Sequence, residues 1–159
     1  FNKILEAGKE IDIKPIGLGA RDTLRLEKAF ILAGNEFEGG RTPLEAIMSW
    51  VIDWNHDFIG KDALLAQKEK GDYERLTCLI LQDKGIPRHG FEILKDGKKI
   101  GTITSGTMSP CLNVGIAMGY LPQEYREKET ILDIKIRKNF VKAKVIKPPF
   151  VPKDWAQKN

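Results

Sequence analysis

The sequence predicts an α+β fold, with a helix-containing segment over residues 1–73 and about six β-strands over 75–147. Residues 61–72 set Leu64, Leu65 and the stem of Lys68 at helical spacing, and Gly71 follows as a stop. Downstream the apolar period shortens to two. Over 130–138, Leu132, Ile134 and Ile136 fall on one face and Asp133, Lys135 and Arg137 on the other. Between the strand-like runs 91–95 and 98–104 stands Asp96-Gly97, a strong hairpin signal.

Taken in order, Phe1, Ile4 and Leu5 are helically spaced and Gly8 stops them. They read as the end of a helix that begins upstream, and the sequence as a piece of a longer chain. Residues 19–34 open as a helix bearing Leu24, Leu26 and Ala29 among Arg25, Glu27 and Lys28, while the apolar stretch 29–34 suits a strand. Thr42-Pro43 predicts a short helix, with Thr42 as N-cap, Pro43 at the first helical position and Leu44, Ile47 and Met48 on its apolar face. Residues 50–54 read as a strand opened by a core Trp50.

The strand run begins at 75–82, where Leu76, Cys78 and Ile80 share a face, and continues through 91–95, 98–104, 114–122, 130–138 and 140–147. Asn139 reads as the last turn. Strands of this length joined by tight turns suit a small closed antiparallel barrel or Greek key, which removes exposed edges. Residues 102–112 read as a shaped loop at the barrel rim. Hydrogen bonds from Ser105 and Ser109 to nearby backbone would fix a tight corner there.

At 159 residues and 17.9 kDa the chain suits one domain or two small ones. Its 42% hydrophobic and 30% charged residues exclude disorder and collagen-like repeats. No apolar run approaches the roughly 20 residues of a membrane span, so no membrane partner is expected. Two cysteines are too few for a disulfide framework and read as reduced thiols of a cytoplasmic protein. The net charge is −3 over residues 1–60, +2 over 61–119 and +5 over 120–159. That asymmetry fits either an anionic partner or a solvated lysine-rich tail.

Few constellations carry chemistry. Gly17 and Gly19 lack the third glycine of a dinucleotide fingerprint and read more simply as a tight approach to a helix. Arg21, near that helix start, suits a carboxylate or phosphate fork but equally a neighbouring Asp or Glu. His56 and His89 have no ligand spacing, so no metal is expected. Cys78 reads as core, and Cys111 as a loop residue with no histidine to activate it. The basic end offers only Tyr120, Tyr125, Phe140, Phe150 and Trp155 as stacking partners, which argues against nucleic acid.

Residues 17–27 (GLGARDTLRLE), Thr42–Ala46 with 49–54, 57–64, Thr102–Leu112 (TITSGTMSPCL) and 147–152 (KPPFVP) together resemble the C-terminal part of aminomethyltransferases, the T proteins of the glycine cleavage system. The resemblance spans essentially the whole chain. It implies that residues 1–58 complete a mixed α/β folate-binding domain and that 59–159 form a β-barrel with a lead-in helix. It also implies a reaction in which the methylene of an aminomethyl-lipoyl H protein passes to tetrahydrofolate and ammonia leaves. Under it Arg21, Trp155 and Trp50 are expected at the folate and Arg88 at the cavity where the lipoyl arm enters.

The family's key aspartate, and a glutamate that holds the pterin, belong to the N-terminal half and are not in this sequence. The resemblance therefore places no catalytic residue here and implies a fragment inactive alone, partnered by the missing N-terminal half and the H protein. Its location would be cytoplasmic, or the mitochondrial matrix in a eukaryote. Two departures stand out: Ala33 replaces the tyrosine of the family's Leu-Tyr-Gly, and Trp155 stands where tyrosine is commoner. They leave open a non-catalytic folate-binding module or a split subunit.

Overall fold

A computed structural model describes residues 1–37 and 40–154. Helices α1 (Asn2–Ala7), α2 (Leu18–Glu27), α3 (Ala33–Glu36) and α4 (Lys61–Lys70) precede strands β1 (Arg75–Leu81), β2 (Glu92–Lys95), β3 (Lys98–Ser109), β4 (Val114–Leu121), β5 (Ile131–Ile136) and β6 (Asn139–Ile146). The strands close a barrel in the order β1-β4-β3-β2-β5-β6, every pairing antiparallel. β2, β3 and β4 are successive hairpins. β1 lies beside β4 after the long connection 82–91, the Greek-key arrangement.

Turn chemistry sets the hairpins. Asp96 and Gly97 both take positive φ, 50° and 78°, which gives the mirror-image turn that matches strand twist. The last hairpin turns at Arg137-Lys138, with Arg137 at φ 58°, whereas Asn139 is already the first residue of β6 and pairs with Ile136. The expected turn at Asn139 is thus displaced by two residues, onto a non-glycine residue in the left-handed region.

Leu79, Leu81, Ile103, Ala117, Leu132, Ile134 and Val141 fill the barrel interior. A second apolar cluster, outside the barrel, joins Leu76, Cys78, Ile116, Met118 and Tyr120 to Leu26 and Ala29. β1 and β4 are therefore covered on both faces, which is why 114–122 shows no clean alternation. β5 lacks such a cover, so its outer face carries Asp133 and Lys135 as expected.

The N-terminal segment departs more from expectation. α1 ends at Gly8 and α4 at Gly71, with Gly71 at φ 67°, as the spacing requires. Residues 29–34 form no strand, because α2 stops at Glu27 and α3 starts at Ala33. Thr42 does cap: its backbone N–H donates to Glu45 Oε2 at 2.9 Å and its Oγ1 accepts from Glu45 N at 3.4 Å. The coil it starts is a turn that ends by Met48, not a helix. Residues 50–54 likewise form no strand; Ser49–Val51 make one tight 3₁₀ turn. Short apolar runs are ambiguous between helix and strand, and packing decides them.

Candidate functional site

The two motifs that carry the family resemblance meet where α2 packs on β3. The pairing of β3 with β4 slips between Ile103 and Ser105: Ile103 opposes Gly119 and Ser105 opposes Met118. Strict alternation would send Ser105 into the barrel alongside the fully buried Ile103. The irregularity at Thr104 turns it outward instead, onto the face of Met118 and the second cluster. Ser105 and Ser109 thereby face α2. Residues 102–109 are strand and not the expected rim loop; only 110–113 turn.

Arg25 is the hub of this contact. Its Nη2 donates to Ser105 Oγ at 2.8 Å, its Nη1 to Phe30 O at 3.1 Å and Glu36 Oε2 at 3.2 Å, and its Nε to Asp22 Oδ1 at 2.7 Å. Asn35 Nδ2 reaches the same Ser105 Oγ at 3.0 Å, and Leu32 N donates to Glu36 Oε2 at 2.7 Å. The guanidinium thus ties α2, the 28–36 connection and α3 to one strand. Glu36 is fully buried, and Tyr120 Oη donates to its backbone carbonyl at 2.7 Å.

Glu27 makes the second tie. Ser109 Oγ donates to its Oε1 at 2.5 Å, Cys111 N to Oε1 at 3.0 Å and Cys111 Sγ to Oε2 at 3.2 Å. Burial alone would raise this carboxyl; the bonds from Ser109 and Cys111, with Lys28 nearby, hold it below its ordinary value. Ser109 bonds the local backbone as expected, accepting from Leu112 N at 3.1 Å. Ser105 does not; it serves Arg25 and Asn35. Both thiols are held neutral. Burial, then the Glu36 charge, pushes Cys78 up to about 12. Burial, then Glu27, also raises Cys111, so neither has thiolate character.

Arg21 lies one turn before Arg25 on α2 and is exposed. The expected alternative, a neighbouring carboxylate, is not what the structure gives it: Asp22 pairs with Arg25, and Arg21 has no ion pair among the described residues. Arg88 is exposed in the 82–91 connection. That connection lies along β3: Gly90 N donates to Ile103 O and Ile103 N to Phe91 O, each at 2.8 Å. Gly106 makes the approach possible, since a Cβ there would sit 2.8 Å from the Pro87 carbonyl carbon and oxygen.

Trp50 is not core. It is 77% exposed and borders a cleft of about 980 Å³ between the N-terminal segment and the β1/β6 end of the barrel. Arg21 and Arg88 are not in that lining, and Arg88 lies in the connection that leaves the far end of β1. No hydrogen bond, ion pair or ring contact joins Arg21, Trp50 and Arg88 among the described residues. Trp155 lies outside the described residues.

Comparison with known proteins decides the family. The glycine cleavage T-protein C-terminal barrel domain matches residues 74–152, and the GCVT N-terminal domain matches 1–56. The chain belongs to the glycine cleavage T-protein family. It is 47% identical over 154 residues to an aminomethyltransferase of Flavobacterium psychrophilum, covering 96% of this chain and 43% of the relative. It is 46% identical over 159 residues to a probable aminomethyltransferase of Pyrococcus horikoshii, covering 94% and 40%. In structure it resembles the glycine cleavage system aminomethyltransferase T of Bartonella henselae, with TM-score 0.85 and 30% identity over 91% of this chain and 41% of that one. The chain thus spans about two-fifths of the length of these relatives.

Family membership also gives sense to Arg25 and Glu27, to which sequence reasoning gave no role. They belong to the RLE of the first family motif, and Ser105, Ser109 and Cys111 to the second. The structure clasps these two motifs together. The signal was present in the sequence, as an arginine and a glutamate that flank Leu26, where the helix buries its face.

Proposed function

We propose that this chain is the C-terminal part of an aminomethyltransferase. The complete enzyme would take the aminomethyl group carried on a lipoyl sulfur of the H protein. The carbon–sulfur and carbon–nitrogen bonds break, the methylene bridges two nitrogens of tetrahydrofolate, and ammonia and the dihydrolipoyl thiol leave. The observation that carries this reading is the clasp itself: it consumes Arg25 and Glu27 in structure and leaves Arg21, on the same helix, exposed and without a carboxylate. A guanidinium so placed suits the glutamyl carboxylates of the folate.

In this reading Trp50 and Trp155 contribute to the folate site and Arg88 meets the lipoyl arm. Residues 1–58 complete the folate-binding domain and 59–159 are the barrel domain. The catalytic aspartate lies in the upstream half, so the chain alone is inactive. Ala33, in place of the family's tyrosine, favours one second reading, a folate-binding module without transferase activity.

Calorimetric titration of tetrahydrofolate into the full-length protein tests the assignment. Arg21→Ala weakens binding by about 1–3 kcal/mol if the guanidinium meets the ligand. Unchanged affinity removes Arg21 from the site.

A further inference from the structure

Trp50 is exposed, and no hydrogen bond or ring contact holds its indole among the described residues. Its place is therefore set by the backbone of the turn that carries it. That backbone is tied down at few points. Among the described residues, every hydrogen bond that joins residues 41–52 to the rest of the chain runs through Arg41 or Glu45. Arg41 Nη2 donates to Glu74 Oε2 at 2.6 Å, just ahead of β1. Gln67 Nε2 on α4 donates to Glu45 Oε2 at 3.4 Å, and Leu76 N on β1 to Glu45 O at 2.8 Å.

Glu45 is where these ties meet. Its Oε1 accepts from Arg41 Nη1 at 2.7 Å and its Oε2 from Thr42 N at 2.9 Å. Arg41 in turn lies over the Tyr120 ring, 4.1 Å from the centroid, a stacked cation on the barrel wall. The Glu45 side chain is only 12% exposed. Burial alone would raise its carboxyl; the bonds from Thr42, Arg41 and Gln67 hold it below its ordinary value, so the ionised form makes the clamp.

From Glu45 the order passes to Trp50 along a bonded backbone. Ala46 N donates to Thr42 O at 3.0 Å, Met48 N to Pro43 O at 2.8 Å and Val51 N to Met48 O at 3.0 Å. Between them Ile47 takes φ 54°, a left-handed conformation that a β-branched residue keeps only where its surroundings impose it. Leu44 and Ala46, both buried, anchor the same turn.

We propose that Glu45 is a positioning residue of the folate site: its carboxylate, held between Arg41, Thr42 and Gln67, fixes the 42–50 turn on the barrel and so aims Trp50. The proposal rests on the reading of Trp50 as a folate contact. In it Glu45 meets no substrate atom and acts through Trp50, by sparing the ligand the ordering of that turn.

The test uses the full-length protein labelled with fluorotryptophan, the Trp50 resonance being assigned by its loss in Trp50→Phe. Glu45→Gln keeps the size of the side chain and gives up the charge that Arg41 meets. It shifts or broadens the Trp50 resonance. In the aminomethyl-transfer assay it raises KM for tetrahydrofolate about fivefold and leaves kcat unchanged, as loss of binding common to ground and transition states does. In a Trp50→Ala background the same substitution adds little, because the two act on one contact. Should Glu45→Gln fail to fold, Arg41→Lys, which keeps the charge but loses the fork between Glu45 and Glu74, is read in the same way. The proposal is overturned, with the folate reading intact, if the Trp50 resonance stays in place, if KM keeps its wild-type value, or if the KM effect persists in full beside Trp50→Ala. A Trp50→Ala protein with unchanged KM removes Trp50 from the folate site, and the positioning role with it.

Discussion

Arg25 and Ser105 stand 80 residues apart in sequence and meet at 2.8 Å, and that bond exists because a bulge at Thr104 turns Ser105 out of the barrel. Through it, and through Glu27 with Ser109, the helix of the first family motif is locked onto the strand of the second. The lock fixes α2 and leaves Arg21 to face solvent.

The first prediction concerns that pair. Arg25→Met leaves the fully buried Glu36 without its cation and costs about 3–5 kcal/mol, the range for breaking a buried ion pair by one partner. Ser105→Ala costs about 1–2 kcal/mol, because Asn35 and the guanidinium lose one acceptor. Urea unfolding checks both, and the double variant should lose less than the sum of the two. Strict additivity would show that the two side chains act independently.

Glu27 predicts an acid dependence. Its folded pKa lies below its unfolded value, so its contribution is complete above the ordinary carboxylate range, near 4.5, and is lost as pH falls through the depressed folded value. Glu27→Gln should flatten the fall in melting temperature between about pH 5 and pH 3. A variant curve parallel to wild type would remove Glu27 as a source of the dependence.

Gly106 predicts a steric one. A methyl group there meets the Pro87 backbone at 2.8 Å, so Gly106→Ala must push the 82–91 connection off β3. The expected cost is about 1–3 kcal/mol. Faster amide exchange at Gly90, whose N–H donates to Ile103 O, should accompany it. Unaltered exchange would mean that the connection does not rest on Gly106.

How far the sequence spoke depended on what covers each element. The barrel was legible wherever one face of a strand meets water, as in β5 with Leu132 and Ile134 inside and Lys135 outside. It was legible again at Asp96-Gly97, where the turn is a local property. Residues 29–36 were not, because their conformation is set from a distance: Arg25 and Asn35 both meet Ser105, and Tyr120 Oη donates to the Glu36 carbonyl. Trp50 resembled a core residue by type, yet its 3₁₀ turn presents it at a cleft margin. The bulge at Thr104 is a register between two strands, so no single stretch encodes it. Arg21 was chosen from the family motif. That the exposed guanidinium is Arg21 and the buried one Arg25 became visible only with the partners in place.

Cys111 predicts low reactivity. Burial and its bond to Glu27 raise the thiol, so iodoacetamide should modify it more slowly at pH 7 than a free cysteine, with the rate still climbing past pH 9. Mass spectrometry of the Cys111 peptide over time checks this. Rapid modification at neutral pH would contradict the neutral thiol.

The most direct measurement is ammonia release after reassembly. The chain is mixed with the N-terminal half of the same protein, tetrahydrofolate and H protein loaded with the aminomethyl group. The account predicts no release from the chain alone, release with both halves together, and loss of that release when Arg21→Ala is used at limiting tetrahydrofolate. A folded, reassembled complex that releases no ammonia at saturating tetrahydrofolate would contradict it.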